Sequence, residues 1–214
     1  MGRKVNPIAI RMGINKTWDS TWYAKKADFP ALLLQDLKIK KIITKKLRDS
    51  GIDKIKILRS VNKLELEVYV AKPGVAIGRG GEGIDQLQKE LKRILKQNVD
   101  IKIKEVAKAD LSARILAREI ADGIERRQPP KLVMLSAKEK AMMAGAKGIK
   151  IWISGRINNA SQARTIKANG GSVPAQTLKA DIDYSEQTAK TIDAGLMGVK
   201  VWVYKGHKTS VDTE

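Results

Sequence analysis

The stretch Val75-Ala76-Ile77-Gly78-Arg79-Gly80-Gly81-Glu82-Gly83-Ile84-Asp85-Gln86-Leu87 decides how the chain is read. Before it, Leu64-Glu65-Leu66-Glu67-Val68-Tyr69-Val70 alternates apolar and polar residues with period two, which predicts a strand with one buried face. After it, Ile84, Leu87, Leu91, Ile94 and Leu95 recur at helical spacing. Glu82 and Asp85 stand early in that run and Lys92, Arg93 and Lys96 late, the order the helix macrodipole favours. The glycines therefore precede a helix. Lacking a Cβ, they admit another backbone, and the free N–H groups of the first helical turn point out at it. Such geometry suits a phosphate.

Two phosphate motifs compete for these residues. Gly78, Gly80 and Gly83 satisfy the dinucleotide fingerprint G-x-G-x-x-G, and Asp100 lies where an acid would hold a ribose. In that motif the glycine turn leaves its strand directly, whereas Ala71-Lys72-Pro73-Gly74-Val75-Ala76-Ile77 intervenes here, and Asp100 opens a strand pattern instead of closing one. The other motif is the KH signature, in which G-x-x-G (Gly78-Arg79-Gly80-Gly81) clamps a nucleic-acid backbone between two short helices. Ala76-Ile77 and Ile84 supply the flanking apolar contacts. A tight turn whose glycines only let two helices meet is the plainer alternative.

Composition favours a polyanion partner. Lys and Arg number 42 against 23 acids, a formal net charge of +19, and self-repulsion of that size calls for nucleic acid or an anionic surface. With 214 residues and 43% hydrophobic composition, two modest domains with real cores are expected. No apolar run is long enough to span a bilayer, and no secretory leader pattern opens the sequence, so a soluble protein is expected. Cysteine is absent, which removes disulfides and thiolate chemistry, and the single histidine, His207, has no partners for a triad or a metal and reads as a solvated tail residue. Aromatics at 4% are too few for a sheet that stacks successive bases.

Residues 2–16 are basic and aperiodic and read as an extended arm, with Val5, Ile8, Ile10, Met12 and Ile14 as apolar anchors. Trp18, Trp22 and Tyr23 read as the point where that arm is fixed. A helix is expected from Asp28-Phe29-Pro30, with Phe29, Leu33, Leu37, Ile43 and Leu47 on its apolar side, Gly51 as its stop and a crowd of lysines elsewhere. Residues 54–59 and 64–70 form a pair of strands joined by the turn Ser60-Val61-Asn62-Lys63, and residues 99–104 a third strand.

A second unit follows. Asp110 starts a helix with Leu111, Ile115, Ile120 and Ile124 on one side, and a second helix runs from about Lys131 to Gly145 after the prolines Pro129 and Pro130. Residues 148–153 and 198–204 are strands of one pattern, β-branched on one face and Lys-x-Trp on the other. Between them, residues 163–167 and 177–184 look like strands joined through Asn169-Gly170-Gly171-Ser172. Trp152 and Trp202 need a cover, whether the Trp18 segment, another protein, RNA, or each other. The fold class is α+β, with a basic arm at 1–17, a KH unit of three strands and helices at 18–107, helices on about four strands at 108–206, and a tail at 207–214.

This helix and strand order is that of the type II KH fold, and the chain resembles one family throughout its length. The residues that carry it are Gly2-Arg3-Lys4-Val5-Asn6-Pro7, Ile10-Arg11-Met12-Gly13-Ile14, Trp18-Asp19-Ser20-Thr21-Trp22-Tyr23, the loop with Lys72-Pro73-Gly74, and Glu125-Arg126-Arg127. Ser154-Gly155-Arg156, Ala163-Arg164-Thr165, Leu178-Lys179-Ala180-Asp181-Ile182-Asp183-Tyr184 and Gly198-Val199-Lys200-Val201-Trp202 continue it. It is similar to the bacterial form of the KH-containing ribosomal protein of the small-subunit head, third in that subunit's traditional numbering. The resemblance implies a structural, non-enzymatic RNA-binding protein, cytoplasmic or organellar, beside the channel where messenger RNA enters. Its implied partners are small-subunit ribosomal RNA, messenger RNA and neighbouring head proteins, with no membrane, cofactor, metal or small-molecule substrate.

On this basis Arg79 and the amides around Gly80 and Gly81, with Gly78 and Lys72 beside them, are expected to hold RNA phosphates. Arg3, Lys4, Arg11, Arg126, Arg127, Lys131, Arg156, Arg164, Lys167 and Lys179 are expected to add contacts. Glu82 stands close to such a phosphate and weakens the loop. Relatives carry more bases and aromatics where this chain has Gln128 to Leu135 and Ile166 to Ser172, which predicts a looser hold on messenger. The rivals are a free-standing KH factor in ribosome maturation or messenger binding, a nucleotide-dependent enzyme on the G-x-G-x-x-G match, and a membrane-surface protein.

Overall fold

The computed structural model describes residues 4–60, 63–95 and 97–207, which divide into two compact units, one spanning Trp18–Ala107 and the other joining the first 17 residues to those from Lys108 onward. The turn expected at Val61-Asn62, the base Lys96 and the tail beyond His207 lie outside the described residues.

In the first unit the order is β1 (Ser20–Thr21), α1 (Phe29–Lys46), β2 (Ile52–Arg59), β3 (Leu64–Val70), α2 (Pro73–Ile77), α3 (Glu82–Leu95) and β4 (Val99–Glu105). The sheet order is β1-β2-β3-β4, with β2 and β3 antiparallel and β4 parallel to β3. The sheet thus has four strands, not three; two residues of β1 are too short to carry a period and pair parallel to β2. Leu64, Leu66, Val68 and Val70 are buried, as their alternation predicts, and pack with Leu87, Leu91 and Leu95 of α3 and Ile39 and Ile43 of α1. The opposite sheet face carries charge pairs, among them Lys104–Glu67 at 2.7 Å.

α1 turns a different face inward from the one its leucines suggest. Ile39, Ile43 and Leu47 are buried, while Phe29, Leu33, Leu34 and Leu37 are exposed. The cause is Asp36, which is buried and accepts from Trp22 Nε1 at 2.8 Å and from Arg59 Nη2 at 2.5 Å. The paired carboxylate ties this part of the helix to Arg59 of β2 and so keeps the Asp36 face inward. Trp22 also packs on Phe29 with ring centroids 5.2 Å apart, so this aromatic segment is part of the first unit's own packing.

The second unit contains α4 (Ala113–Glu125), α5 (Pro130–Met143), β5 (Gly148–Gly155), β6 (Arg164–Gly171), β7 (Ala180–Thr191) and β8 (Gly195–His207). α4 starts three residues after Asp110, because Ser112 accepts from the Ile115 amide and caps it there. Sheet order β6-β5-β8-β7, antiparallel throughout, sets β6 and β7 on opposite edges. They are therefore not a hairpin: Asn169, Gly170 and Gly171 belong to β6 itself, and residues 172–179 cross from one edge to the other. Ile149, Ile151, Ile153, Val199, Val201 and Val203 face α4 and α5 with no exposure, and the Lys-x-Trp face lies on the other side. His207 ends β8 and meets Tyr204 edge-on at 5.9 Å, not free in a tail.

Among the described residues, no helix is long and apolar enough to cross a membrane, and no group of three or more His, Asp or Glu is placed to hold a metal ion.

Candidate nucleic-acid interface

The glycine loop joins α2 to α3, not β3 to a helix, so the dinucleotide geometry is absent, and Asp100 lies in β4 in register with Glu65. Its glycines fall into two kinds. A Cβ on Gly78 would come within 3.2 Å of the Gly83 amide nitrogen, and one on Gly83 within 3.0 Å of the Ile77 carbonyl oxygen, so these two let α2 and α3 approach. Gly80 and Gly81 have φ of 63° and 85° and nothing within 4 Å of where a Cβ would stand. Their open side faces away from the fold and leaves the backbone accessible. Lys72 is exposed at the start of α2, and Glu82 and Asp85 occupy the first turn of α3. The expectation placed on the Arg79 side chain lies outside what is described, as does Arg3.

Arg11 corrects an expectation. Assigned to phosphate by its place in a basic arm, it is fully buried, with Nε 2.8 Å from the Ala180 carbonyl oxygen and Nη1 2.9 Å from that of Pro7. Nη2 donates at 2.9 Å to the carbonyls of both Ala175 and Thr177. Burial lowers its pKa and Asp181 pushes it back up. With Asn15 on the carbonyls of Leu178 and Ala180, and Lys16 paired to Asp181 at 2.7 Å, it pins residues 11–16 to the crossing segment and the start of β7. The arm is accordingly a set of turns, with a 3₁₀ turn at Ala9–Arg11, and not an extended strand; Val5, Ile10 and Ile14 stay exposed.

The other nominated bases are spread over the second unit. Arg126 closes α4, Arg127 follows in a left-handed conformation at φ 63°, and Lys131 lies on the first turn of α5; all three are exposed. Lys140, one of the two later bases on α5, is paired with Glu119. Arg156 donates to the Ala160 carbonyl at 2.9 Å, and Arg164 and Lys179 are exposed at the sheet edge and in the crossing segment.

On the sheet face away from the helices, Trp202 has Trp152 on one side and Tyr184 on the other, each ring centroid 5.1 Å away. Mutual packing is thus what the tryptophans find within this unit. Burial, with Glu186 beside it, pushes the Tyr184 hydroxyl up to about 12. Three ammonium groups stand over the Trp152 ring: Lys150 at 4.6 Å, Lys167 at 5.0 Å and Lys4 at 5.3 Å from its centroid. Burial and the two neighbouring lysines bring Lys150 down to about 8.

Two family models match the chain: one described as KH domain over residues 38–111, the other as ribosomal protein S3, C-terminal domain, over residues 120–203. Small ribosomal subunit protein uS3 of Acetivibrio thermocellus is 47% identical over 206 residues, 96% of this chain and 91% of the relative. That of Alkaliphilus oremlandii is 45% identical over 96% of this chain and 87% of the relative. That of Desulfatibacillum aliphaticivorans is 44% identical over 100% of this chain and 97% of the relative. The chain belongs to the uS3 family.

The uS3 family is one of small-subunit ribosomal proteins and not of enzymes, and its two matched regions correspond to the two sheets described above. Within this uS3 chain the nominated residues do not gather into one site. Gly78, Gly80 and Gly81 shape one loop, Lys4 and Lys167 meet over Trp152, and Arg126, Arg127 and Lys131 share the turn between α4 and α5. Lys150 lies in the Lys-x-Trp pattern, but its company comes from the arm, which brings Lys4, and from the pairing of β5 with β6, which sets Trp152 opposite Lys167.

Proposed function

We propose that this chain is a structural component of the small-subunit head in the cytoplasm, binding small-subunit ribosomal RNA and lining the channel where messenger RNA enters. One observation carries the RNA reading: Gly80 and Gly81 hold positive φ in a loop whose outer side is open, between two helices. A phosphate can reach their amides there, on the side where a Cβ would meet nothing within 4 Å. The net charge of +19 supplies the long-range attraction. Lys4, Lys72, Arg126, Arg127, Lys131, Arg156, Arg164, Lys167 and Lys179 are exposed and available for further phosphates. The exposed Phe29, Leu33, Leu34 and Leu37 on α1 give neighbouring head proteins an apolar face to cover.

Messenger contact rests on Arg126, Arg127 and Lys131. Because Lys140 is tied to Glu119, this chain grips messenger less firmly than a relative with a continuous basic run.

Replacing both Gly80 and Gly81 by Asn keeps the positive φ tolerable and adds no charge, whereas Asp tolerates the same backbone and brings two negative charges. The Asp pair should bind transcribed small-subunit ribosomal RNA at least tenfold more weakly than the Asn pair, about 1.4 kcal/mol, with equal melting temperatures. Equal RNA affinity in both variants and the native chain would make the loop a purely structural turn.

A further inference from the structure

We infer that Lys4, Lys150 and Lys167, gathered over the Trp152 ring, form a second phosphate-binding site for the ribosomal RNA backbone, separate from the glycine loop. The inference rests on the RNA-binding function proposed above and adds a place to it. Three cations from the arm, β5 and β6 lie within 4.6 to 5.3 Å of one ring centroid. Among the described residues none of the three is ion-paired, and the charged groups acting on Lys150 are the other two lysines. Aromatic attraction offsets part of the repulsion, but an anion placed among the three removes it outright.

The same geometry selects which part of an RNA can sit there. A nucleobase needs a free ring face, and the ammonium groups already occupy that of Trp152, while Trp202 is flanked by Trp152 and Tyr184. What remains is a cationic patch without a stacking platform, which fits a phosphate diester and reads no sequence.

The full chain carrying Lys150→Met and Lys167→Met keeps the aliphatic stems and the fold while removing two charges. Lys26→Met with Lys190→Met, both exposed residues outside the cluster, removes the same charge elsewhere. Binding to transcribed small-subunit ribosomal RNA is measured across a salt series. The cluster variant should lower the log–log salt slope by about 1.4 to 1.8, at about 0.7 to 0.9 for each lost phosphate contact. At 0.1 M salt its affinity should fall tenfold or more, and the control should change by less than threefold. A cluster variant that matches the control overturns the site, and if the Asp pair at Gly80 and Gly81 still weakens RNA binding, the function stands without it. A cluster variant with native RNA affinity that fails to enter reconstituted subunits also overturns it, since the face then meets protein. No RNA binding by the native chain overturns both.

Discussion

Lys150 carries its charge between two others. Burial comes first and the charges of Lys4 and Lys167 second in bringing it to about 8 from an ordinary 10.5. A base whose folded pKa is lowered penalises the fold fully below about 8, where both states are charged, and not at all above 10.5, where both are neutral. Stability from this group therefore rises with pH between those values. Lys150→Met should melt higher than the native chain at pH 7, and the gap should shrink steadily by pH 10.5. A gap that stays constant would mean that the attraction of the Trp152 ring cancels the burial and repulsion. The Lys-x-Trp pattern made the face of this residue legible, since period two fixes it. Its neighbours were not legible, because Lys4 and Lys167 reach it through the arm and the register of β5 on β6. Arg11 illustrates the same limit from the other side. An arginine in a basic arm reads as a phosphate ligand, and three of the four carbonyls that claim it stand 164 to 169 residues away.

At the scale of elements, what could be read followed periodicity. β3 and α3 fell where their spacing put them, and the glycine loop between α2 and α3 with them, because each has one clean apolar face. α1 does not: its leucines and isoleucines offer two candidate faces, and a buried Asp36 decides between them through Trp22 and Arg59. β6 and β7 were visible as strands, yet their separation across the sheet depends on pairings of β5 and β8 that spacing does not encode. The arm is fastened by a guanidinium that serves four carbonyls in a plane, which an ammonium cannot imitate. Arg11→Lys should destabilise the second unit by about 2–4 kcal/mol in urea unfolding, with its RNA affinity below the transition nearly unchanged. Native stability with weakened RNA binding would return Arg11 to the phosphate contacts.

For the whole molecule, the excess of 42 bases over 23 acids is spread over two folded units and a pinned arm, so no single patch accounts for it. Charge distributed in this way is neutralised by a large folded polyanion that meets many surfaces at once, and less well by a short strand that meets one. That separates a subunit component from a free-standing KH factor, which needs only its loop. Sedimentation of the tagged full chain from cells, through a gradient at moderate salt, measures the difference directly. The chain should travel with small subunits, near one copy per particle, and stay with them as salt is raised until the particles themselves come apart. A chain found at the top of the gradient, beside small subunits that are complete without it, would contradict the account.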